Sequence, residues 1–449
     1  MVEVFSNINY FHLTIFLINF VLTYYYIIKK DFDKTMAAGL GALSTLVLGN
    51  ILGIFDQGTF ISEELGNDYL ILAILFGNLL IVAVASEVGI FQFISVKILK
   101  ATQGDPMKLY WALGLLTFGL SAVIGTIPAI LIAGALTIVA CNELELDPKA
   151  FIMMEIVVTN TGGLTTLISA ITNLIIAIPF GITFIQFTLI SAPLSIILFF
   201  ISMKMMMRMY NIKEMTVKEE KIENLQSFNE WNFVKDKKSF QRTSIVFGIT
   251  MILLLLSDRI GMEIAVIAVG GGLIMTFVSG KNLDNILTKL DWGLITFFAS
   301  LFIIVKGLEL IGVLELLTDL LLGILGNNNL VASLIMLAFS SIFSGILDNM
   351  VLAVAMTPIL INISNENTNL KMGPLIWALI IGTNLGGGFT PIGAPPAVLG
   401  LGILYKETGT KVGWGEFIKT IGYVTLIRII VSAFYLMILV YFIPDSFLV

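Results

Sequence analysis

Two short stretches hold most of the chemistry this chain can offer. Thr159-Asn160-Thr161-Gly162-Gly163-Leu164-Thr165-Thr166-Leu167-Ile168 and Thr383-Asn384-Leu385-Gly386-Gly387-Gly388-Phe389-Thr390-Pro391-Ile392 lie 224 residues apart and follow one pattern. Each sets Gly, Thr and Asn inside long apolar sequence. Backbone that unwinds at membrane depth is tolerated only where it is buried in protein or lines a cavity. A corresponding pair of interrupted hydrophobic segments points to the binding site of a secondary transporter. Half-helices that stop at a break offer N–H groups to anions and carbonyls to cations, and Asn and Thr add neutral donors and acceptors. The plainer reading is that Gly and Thr let helices pack closely. Recurrence in register favours a site drawn from Thr159, Asn160, Thr161, Thr165, Thr383, Asn384 and Thr390.

Two further apolar stretches, 109–141 and 330–362, each contain a polar break and read as helical hairpins that enter and leave on one side. The first tip is Ser121-Ala122-Val123-Ile124-Gly125-Thr126-Ile127-Pro128 and the second Ser344-Gly345-Ile346-Leu347-Asp348-Asn349-Met350. Ser121, Thr126, Ser344, Asp348 and Asn349 therefore join the candidate set. Two tips facing two breaks would form a site near the midplane. An ionised carboxylate at membrane depth costs about 3 kcal/mol or more unless paired or hydrated. Asp348 can bind a transported Na⁺ or carry a proton there, or simply cap the hairpin; its counterpart in the first half is Gly125. Lys306 and Glu309, three apart on a helix, can pair. The sharper reading has Lys306 exchanging between Glu309 and Asp348 as protons move. Glu155 either faces a cytoplasmic vestibule or takes part in the site, Glu87 reads as structural, and Pro395-Pro396 fix where a helix restarts. Arg428, inside the last span, could attract an anionic substrate, but is expected rather to snorkel to the surface.

The elements that must position these residues follow from composition. Hydrophobic residues make up 57% of the 449-residue chain, charged residues only 12%, and mean hydropathy is +0.98. A soluble domain carries roughly 25% charge, so this is an all-α polytopic membrane protein. One cysteine (Cys141) and one histidine (His12) exclude an intramolecular disulfide, multi-His or multi-Cys metal sites, and Ser-His or Cys-His hydrolases. No P-loop, cofactor motif or nucleic-acid signature occurs, and the chain does not read as an enzyme. The N-terminal apolar run lacks a basic leader and reads as a retained helix.

Spans of about 20 residues fall at 9–28, 36–55, 69–87, 150–180, 182–208, 243–257, 262–279, 292–312, 373–404 and 416–443. Loops at 29–34, 97–108, 149, 204–242, 281–289 and 406–419 hold 21 of the 25 Lys and Arg residues. With ten full spans and two re-entrant hairpins, all of these loops fall on one side, which the positive-inside rule makes cytoplasmic. Both termini are then outside, with Asp56, Glu63, Glu64 and Asp68. Helices 9–28 and 36–55 match 243–257 and 262–279, and Val88-Gly89-Ile90-Phe91 matches Ile311-Gly312-Val313-Leu314. Opposite starting sides make this an inverted repeat: 1–208 with hairpin 109–141, a linker at 209–242, and 243–449 with hairpin 330–362.

The arrangement resembles the ion transporter superfamily: arsenite efflux proteins, D-type sodium/proton antiporters, the melanocyte P protein, citrate–metal carriers and, more distantly, divalent-anion/sodium symporters. The resemblance is clearest over Leu75 to Phe187 and Asp291 to Thr425. Phe297-Phe298-Ala299-Ser300-Leu301-Phe302 with Gly307-Leu308-Glu309 and Gly312 is similar to the segment ahead of the second hairpin, and Leu347-Asp348-Asn349 to its tip. Gly382-Thr383-Asn384-Leu385-Gly386 with Thr390-Pro391-Ile392-Gly393, then Lys411-Val412-Gly413-Trp414-Gly415, resembles the arsenite pumps. So does Ile168-Ser169-Ala170-Ile171-Thr172-Asn173, which adds Asn173 to the candidates. Two positions depart: Gly125-Thr126 replaces an Asn/Asp pair at the first tip, and Lys306 stands where a small or apolar residue is usual.

The resemblance implies a secondary active transporter of the cell membrane working by alternating access, with elevator or rocking motion and of the arsenite-efflux or sodium/proton-antiport kind. The alternative is cation-coupled carriage of citrate or another organic anion. It also implies a small ion or anion as substrate, a homodimer, and a separate ATPase subunit if the chain is an arsenite pump. A passive channel fits the inverted repeat less well, and an intramembrane protease lacks a second deep Asp.

Overall fold

The computed structural model describes residues 9–29, 32–56, 58, 60, 68–217, 230–366 and 369–449. Glu63 and Glu64, and the 218–229 part of the expected linker, lie outside them. The described residues are helical, with no strand among them. In chain order the helices are α1 (Tyr10–Ile28), α2 (Lys34–Ile51), α3 (Asp68–Val88), α4 (Ile90–Ala101), α5 (Pro106–Ile124), α6 (Thr126–Leu144), α7 (Pro148–Gly162), α8 (Ile171–Ala177), α9 (Phe184–Met209), α10 (Lys237–Leu255) and α11 (Ile264–Ser279). They continue with α12 (Trp292–Leu310), α13 (Val313–Leu325), α14 (Asn329–Ile346), α15 (Asn349–Glu366), α16 (Met372–Gly386), α17 (Pro395–Thr408) and α18 (Tyr423–Phe442). Among the described residues nine helices are long and apolar enough to cross a membrane. The chain is a multi-pass membrane protein.

Loop acids set where helices begin, by accepting N–H groups that a first turn leaves unpaired. Asp33, Asp105, Asp147, Asp236 and Asp291 cap α2, α5, α7, α10 and α12. Pro106 and Pro148 follow two of these caps at positions where no N–H is needed. Because Asp236 caps α10, that helix starts ahead of the expected 243. The turn before it is docked: Lys100 pairs with Glu230 at 2.9 Å, and Trp231 stacks edge-on to Phe93.

Helices are interrupted at matched places. Gly89 and Gly312 both take left-handed backbone (φ 89° and 82°) and start the amphipathic helices α4 and α13 after α3 and α12. The α5–α6 turn is Gly125, with φ 92° and ψ 167°, a region that is essentially glycine's alone. The α14–α15 turn has Leu347 in ordinary extended backbone instead. The α7–α8 and α16–α17 segments unwind over 163–170 and 387–394. Every residue from Ala150 to Gly162 and from Gly373 to Gly386 is buried. So is most of the irregular backbone that follows, with Thr165, Thr166, Phe389 and Thr390 part-buried and Ile392 exposed, in keeping with unwound backbone buried in protein or lining a cavity.

The hydrogen bonds repeat as well. Ser121 Oγ donates to Thr159 O and Ser344 Oγ to Thr383 O, both at 2.7 Å. Thr166 Oγ1 donates to Ala122 O at 2.7 Å and Thr390 Oγ1 to Gly345 O at 2.6 Å. Each hairpin is thereby stitched to the break behind it. The second arm of each hairpin packs on the restarted helix of the other half, α6 on α17 and α15 on α8. α2 likewise packs on α12, and α3 on α11. Ser121→Ala and Ser344→Ala should each lower stability by about 1 kcal/mol, and by similar amounts. Denaturation of the purified variants in detergent measures both; clearly unequal losses would show that the two stitches are not equivalent.

Candidate functional site

Both tips and both breaks open on one cavity of about 430 Å³. Its wall takes Gly125, Thr126 and Ile127 from the first tip, Asn349 and Met350 from the second, Asn160 and Ser169 to Thr172 from the first break, and Asn384 and Pro395 from the second. α3 and the start of α12 close the other side with Asn78, Ser86, Glu87, Lys289 and Asp291. Glu87 at its edge pairs with Lys289 and lies 3.6 Å from Lys235 and 3.7 Å from Lys281.

The sequence candidates divide by what their side chains do. Thr126, Asn160, Asn349 and Asn384 stand in the wall. Ser121, Ser344 and Thr390 hold tips to breaks, as above. Thr159, Thr161 and Thr383 turn their hydroxyls onto carbonyls one turn back in their own helices, Glu155 O, Val157 O and Leu379 O, at 2.7 to 2.9 Å. Asn173 is a brace. Its amide nitrogen donates to Gly163 O and Thr166 O, both at 2.9 Å, and its Oδ1 accepts Asn384 Nδ2 at 2.8 Å, tying one break to the other. The sequence reading missed Ser169, Thr172, Asn78 and Lys289 as wall residues; the first two lie inside the segment quoted for Asn173.

Several buried polar atoms have no hydrogen-bond partner among the described residues: Asn160 Nδ2, Thr165 Oγ1, Thr172 Oγ1 and Asn349 Oδ1. Unpaired buried polar groups cost about 1–3 kcal/mol each. Three of these residues, Asn160, Thr172 and Asn349, also line the cavity, where a ligand can satisfy them. On α7 the orphan amide atom is a donor (Asn160 Nδ2) and on α15 an acceptor (Asn349 Oδ1), while Asn78 on α3, also in the wall, leaves its own acceptor Oδ1 unpaired. α6 starts at the cavity with no side chain capping Thr126 and Ile127. α15 starts with Asp348, half-buried, whose Oδ1 accepts Met350 N–H at 3.0 Å. So the first tip presents bare N–H groups, while at the second the Asp348 carboxylate takes up one N–H and leaves Asn349 and Met350 to form the wall.

Lys306 and Glu309 form their pair at 2.8 Å in a different cavity, on whose wall Asp348 does not stand. Glu155 is fully buried and accepts Thr137 Oγ1 at 2.5 Å. Arg428 does not snorkel. It is 0% exposed on α18, one turn beyond Thr425, which packs against the second break at Gly388. Its three guanidinium nitrogens have no hydrogen-bond partner among the described residues. Helices α9, α14 and α16 all pack on α18, and the Arg428 side chain reaches no surface.

The chain matches the citrate transporter model (CitMHS) over residues 24–382 and again over 312–447. It belongs to the citrate transporter family. Proteins similar to it include an uncharacterised transporter of Mycobacterium bovis, 28% identical over 422 residues that cover 93% of this chain and 96% of that one. The P protein of Mus musculus is 26% identical over 473 residues, covering 88% of this chain and 56% of the P protein. The fold is similar to the crystal structure of the Alcanivorax borkumensis YdaH transporter, with a TM-score of 0.59 at 14% identity over 91% of this chain and 98% of that one. As a member of the citrate transporter family, this chain is a membrane transporter.

Proposed function

We propose that this chain is a secondary active carrier that moves a small organic anion of the citrate class, coupled to a cation, by alternating access. The observation that carries this reading is the division of labour in the cavity. Around the first tip stand the uncapped start of α6, the unpartnered donor of Asn160 and the hydroxyl of Thr172, a set suited to an anion. At the second tip the unpartnered acceptor of Asn349 stands in the wall, and Asp348, the residue before it, lies just behind the wall, a set suited to Na⁺ or a proton. Lys289 at the rim and the buried Arg428 behind the second break add positive charge. Arsenous acid is neutral at physiological pH and would gain little from that field, so arsenite efflux and plain sodium/proton antiport are the weaker readings.

The remaining architecture is part of the proposal. Both tips meet breaks that interrupt long buried helices midway, which supports re-entrant hairpins reaching mid-depth. The matched stitches support two inverted halves, 1–208 and 243–449, joined by a cytoplasmic linker at 209–242, with both termini outside. A homodimer in the cell membrane completes it.

Flux of radiolabelled citrate into proteoliposomes under imposed Na⁺ and pH gradients tests the reading. Uptake should follow one of the gradients, and Asn160→Ala should raise the apparent KM about tenfold, the equivalent of one lost hydrogen bond to a charged group. Na⁺/H⁺ exchange or arsenite movement with no response to organic anions would overturn it.

A further inference from the structure

A second cavity of about 460 Å³ lies end to end with the first along the same helices. On α3 it is bounded by Leu70 and Ile71, while the first cavity begins at Leu75. On α8 it begins at Ile175 where the first stops at Thr172, and on α15 at Val354 where the first stops at Met350. On α12 it runs from Phe302 and the first ends at Leu294. The order is the same on all four helices once the opposite run of α3 is allowed for. Between the cavities stand Ile74, Leu174, Phe298, Leu301 and Val351, all buried. The walls are three or four residue steps apart on α3, α8 and α15, about 5–6 Å at helical rise, and eight steps apart on α12, about 12 Å. A largely apolar septum, crossed on α8 by the Asn173 brace, divides the two spaces.

Their electrostatics differ. Around the first cavity Lys289, Lys281 and Lys235 surround Glu87. In the second, Lys306 lines the wall with Glu309, and Glu315, outside the wall, lies close enough to sense Lys306, Glu309 and Glu366. The wall's own ion pair is balanced, and the two glutamates beyond it tip the neighbourhood negative. A cleft lined by an excess of one sign raises the local concentration of the opposite ion.

We propose that the second cavity is the far mouth of the same translocation pathway, a vestibule that collects small cations and is shut off from the tip-and-break site by the apolar septum. The inference rests on the carrier reading above but makes a separate claim, about a place and a charge. Glu309 is the carboxylate in its wall, and Lys306 is the tethered cation that an entering ion competes with. Thr357 and Asn362 supply the neutral wall opposite.

The test uses thiol accessibility in the full-length chain. The native Cys141 is buried, so the unmodified protein serves as the unlabelled background. Asn362→Cys and Ser86→Cys report on the second and first cavities. Intact cells are exposed to membrane-impermeant methanethiosulfonates carrying either a trimethylammonium or a sulfonate group. Asn362→Cys should react from outside, the cationic reagent being favoured about tenfold over the anionic one after correction for their rates with a free thiol. Adding Glu309→Gln should reduce that preference and adding Lys306→Gln should increase it, while Ser86→Cys should be labelled only in inverted vesicles. No reaction at Asn362→Cys, an anionic preference there, or labelling of both cysteines from one side would overturn the proposal. Citrate flux in the wild-type chain is scored separately, so the carrier reading can fail while this one stands, and the reverse.

Discussion

Asp348→Asn should cut cation-coupled flux about a hundredfold and leave the protein folded. The substitution separates two things Asp348 can do. As a helix cap it needs only an oxygen that accepts Met350 N–H, which it does at 3.0 Å, and Asn caps as well as Asp. As a cation site it needs the negative charge. Bonds to charged groups contribute about 1.5–3 kcal/mol, and each 1.4 kcal/mol is tenfold, so loss of the charge should be felt as about two orders of magnitude. The readouts are initial flux under a Na⁺ or pH gradient and the thermal midpoint in detergent. Unchanged flux in a variant with an unchanged midpoint would leave Asp348 as a cap and nothing more. Asp348→Ala should lose the cap too, at about 1 kcal/mol.

Gly386→Ala should be among the most destabilising single substitutions in the chain. A Cβ there would lie 2.2 Å from Ser341 O and 2.7 Å from Ser341 Cα. Both are backbone atoms of α14, so relief requires moving a helix rather than a side chain. Overpacking of this kind costs about 3 kcal/mol, the upper end of its usual range, and would also pull the Ser344 stitch off Thr383. Gly402→Ala is the matched control. Nothing lies within 4 Å of its Cβ position, and alanine favours a helix by about 1 kcal/mol over glycine. Yield of monodisperse protein and the denaturation midpoint check the pair; equal behaviour of the two variants would contradict the packing argument.

What the sequence made legible was whatever local pattern encodes. Apolar runs marked the long helices, the expected hairpin arms α5, α6 and α14 among them, and Gly-Thr-Asn clusters marked where α7 and α16 unwind. Pro395-Pro396 marked where α17 restarts. The offset of 223 to 224 residues anticipated the matched bonds of Ser121 with Thr159 and Ser344 with Thr383. Facing was not legible. Three-residue spacing announced the Lys306–Glu309 pair, but the depth at which α12 and α15 lie side by side decides that this pair opens on a second cavity rather than on Asp348: Leu294 is level with the start of α15, and Lys306 with its later turns. Arg428 failed for a related reason. Snorkelling assumes a helix at the lipid boundary, and only tertiary packing reveals that this turn of α18 is enclosed. Nor could residue types alone tell that Thr159, Thr161 and Thr383 spend their hydroxyls on backbone carbonyls whereas Thr172 leaves its own unspent in the wall.

The thinness of the septum has an electrical consequence. Water and ions entering from either end carry bulk potential inward with them, so the field across a membrane concentrates where they stop. Here that is a layer about 6 Å deep along α3, α8 and α15 and about 12 Å along α12, one to two helical turns. A charge displaced across that layer would traverse most of the resting voltage, which is about 2.3 kcal/mol per unit charge at 100 mV. Turnover should therefore respond steeply to membrane potential although very little has to move.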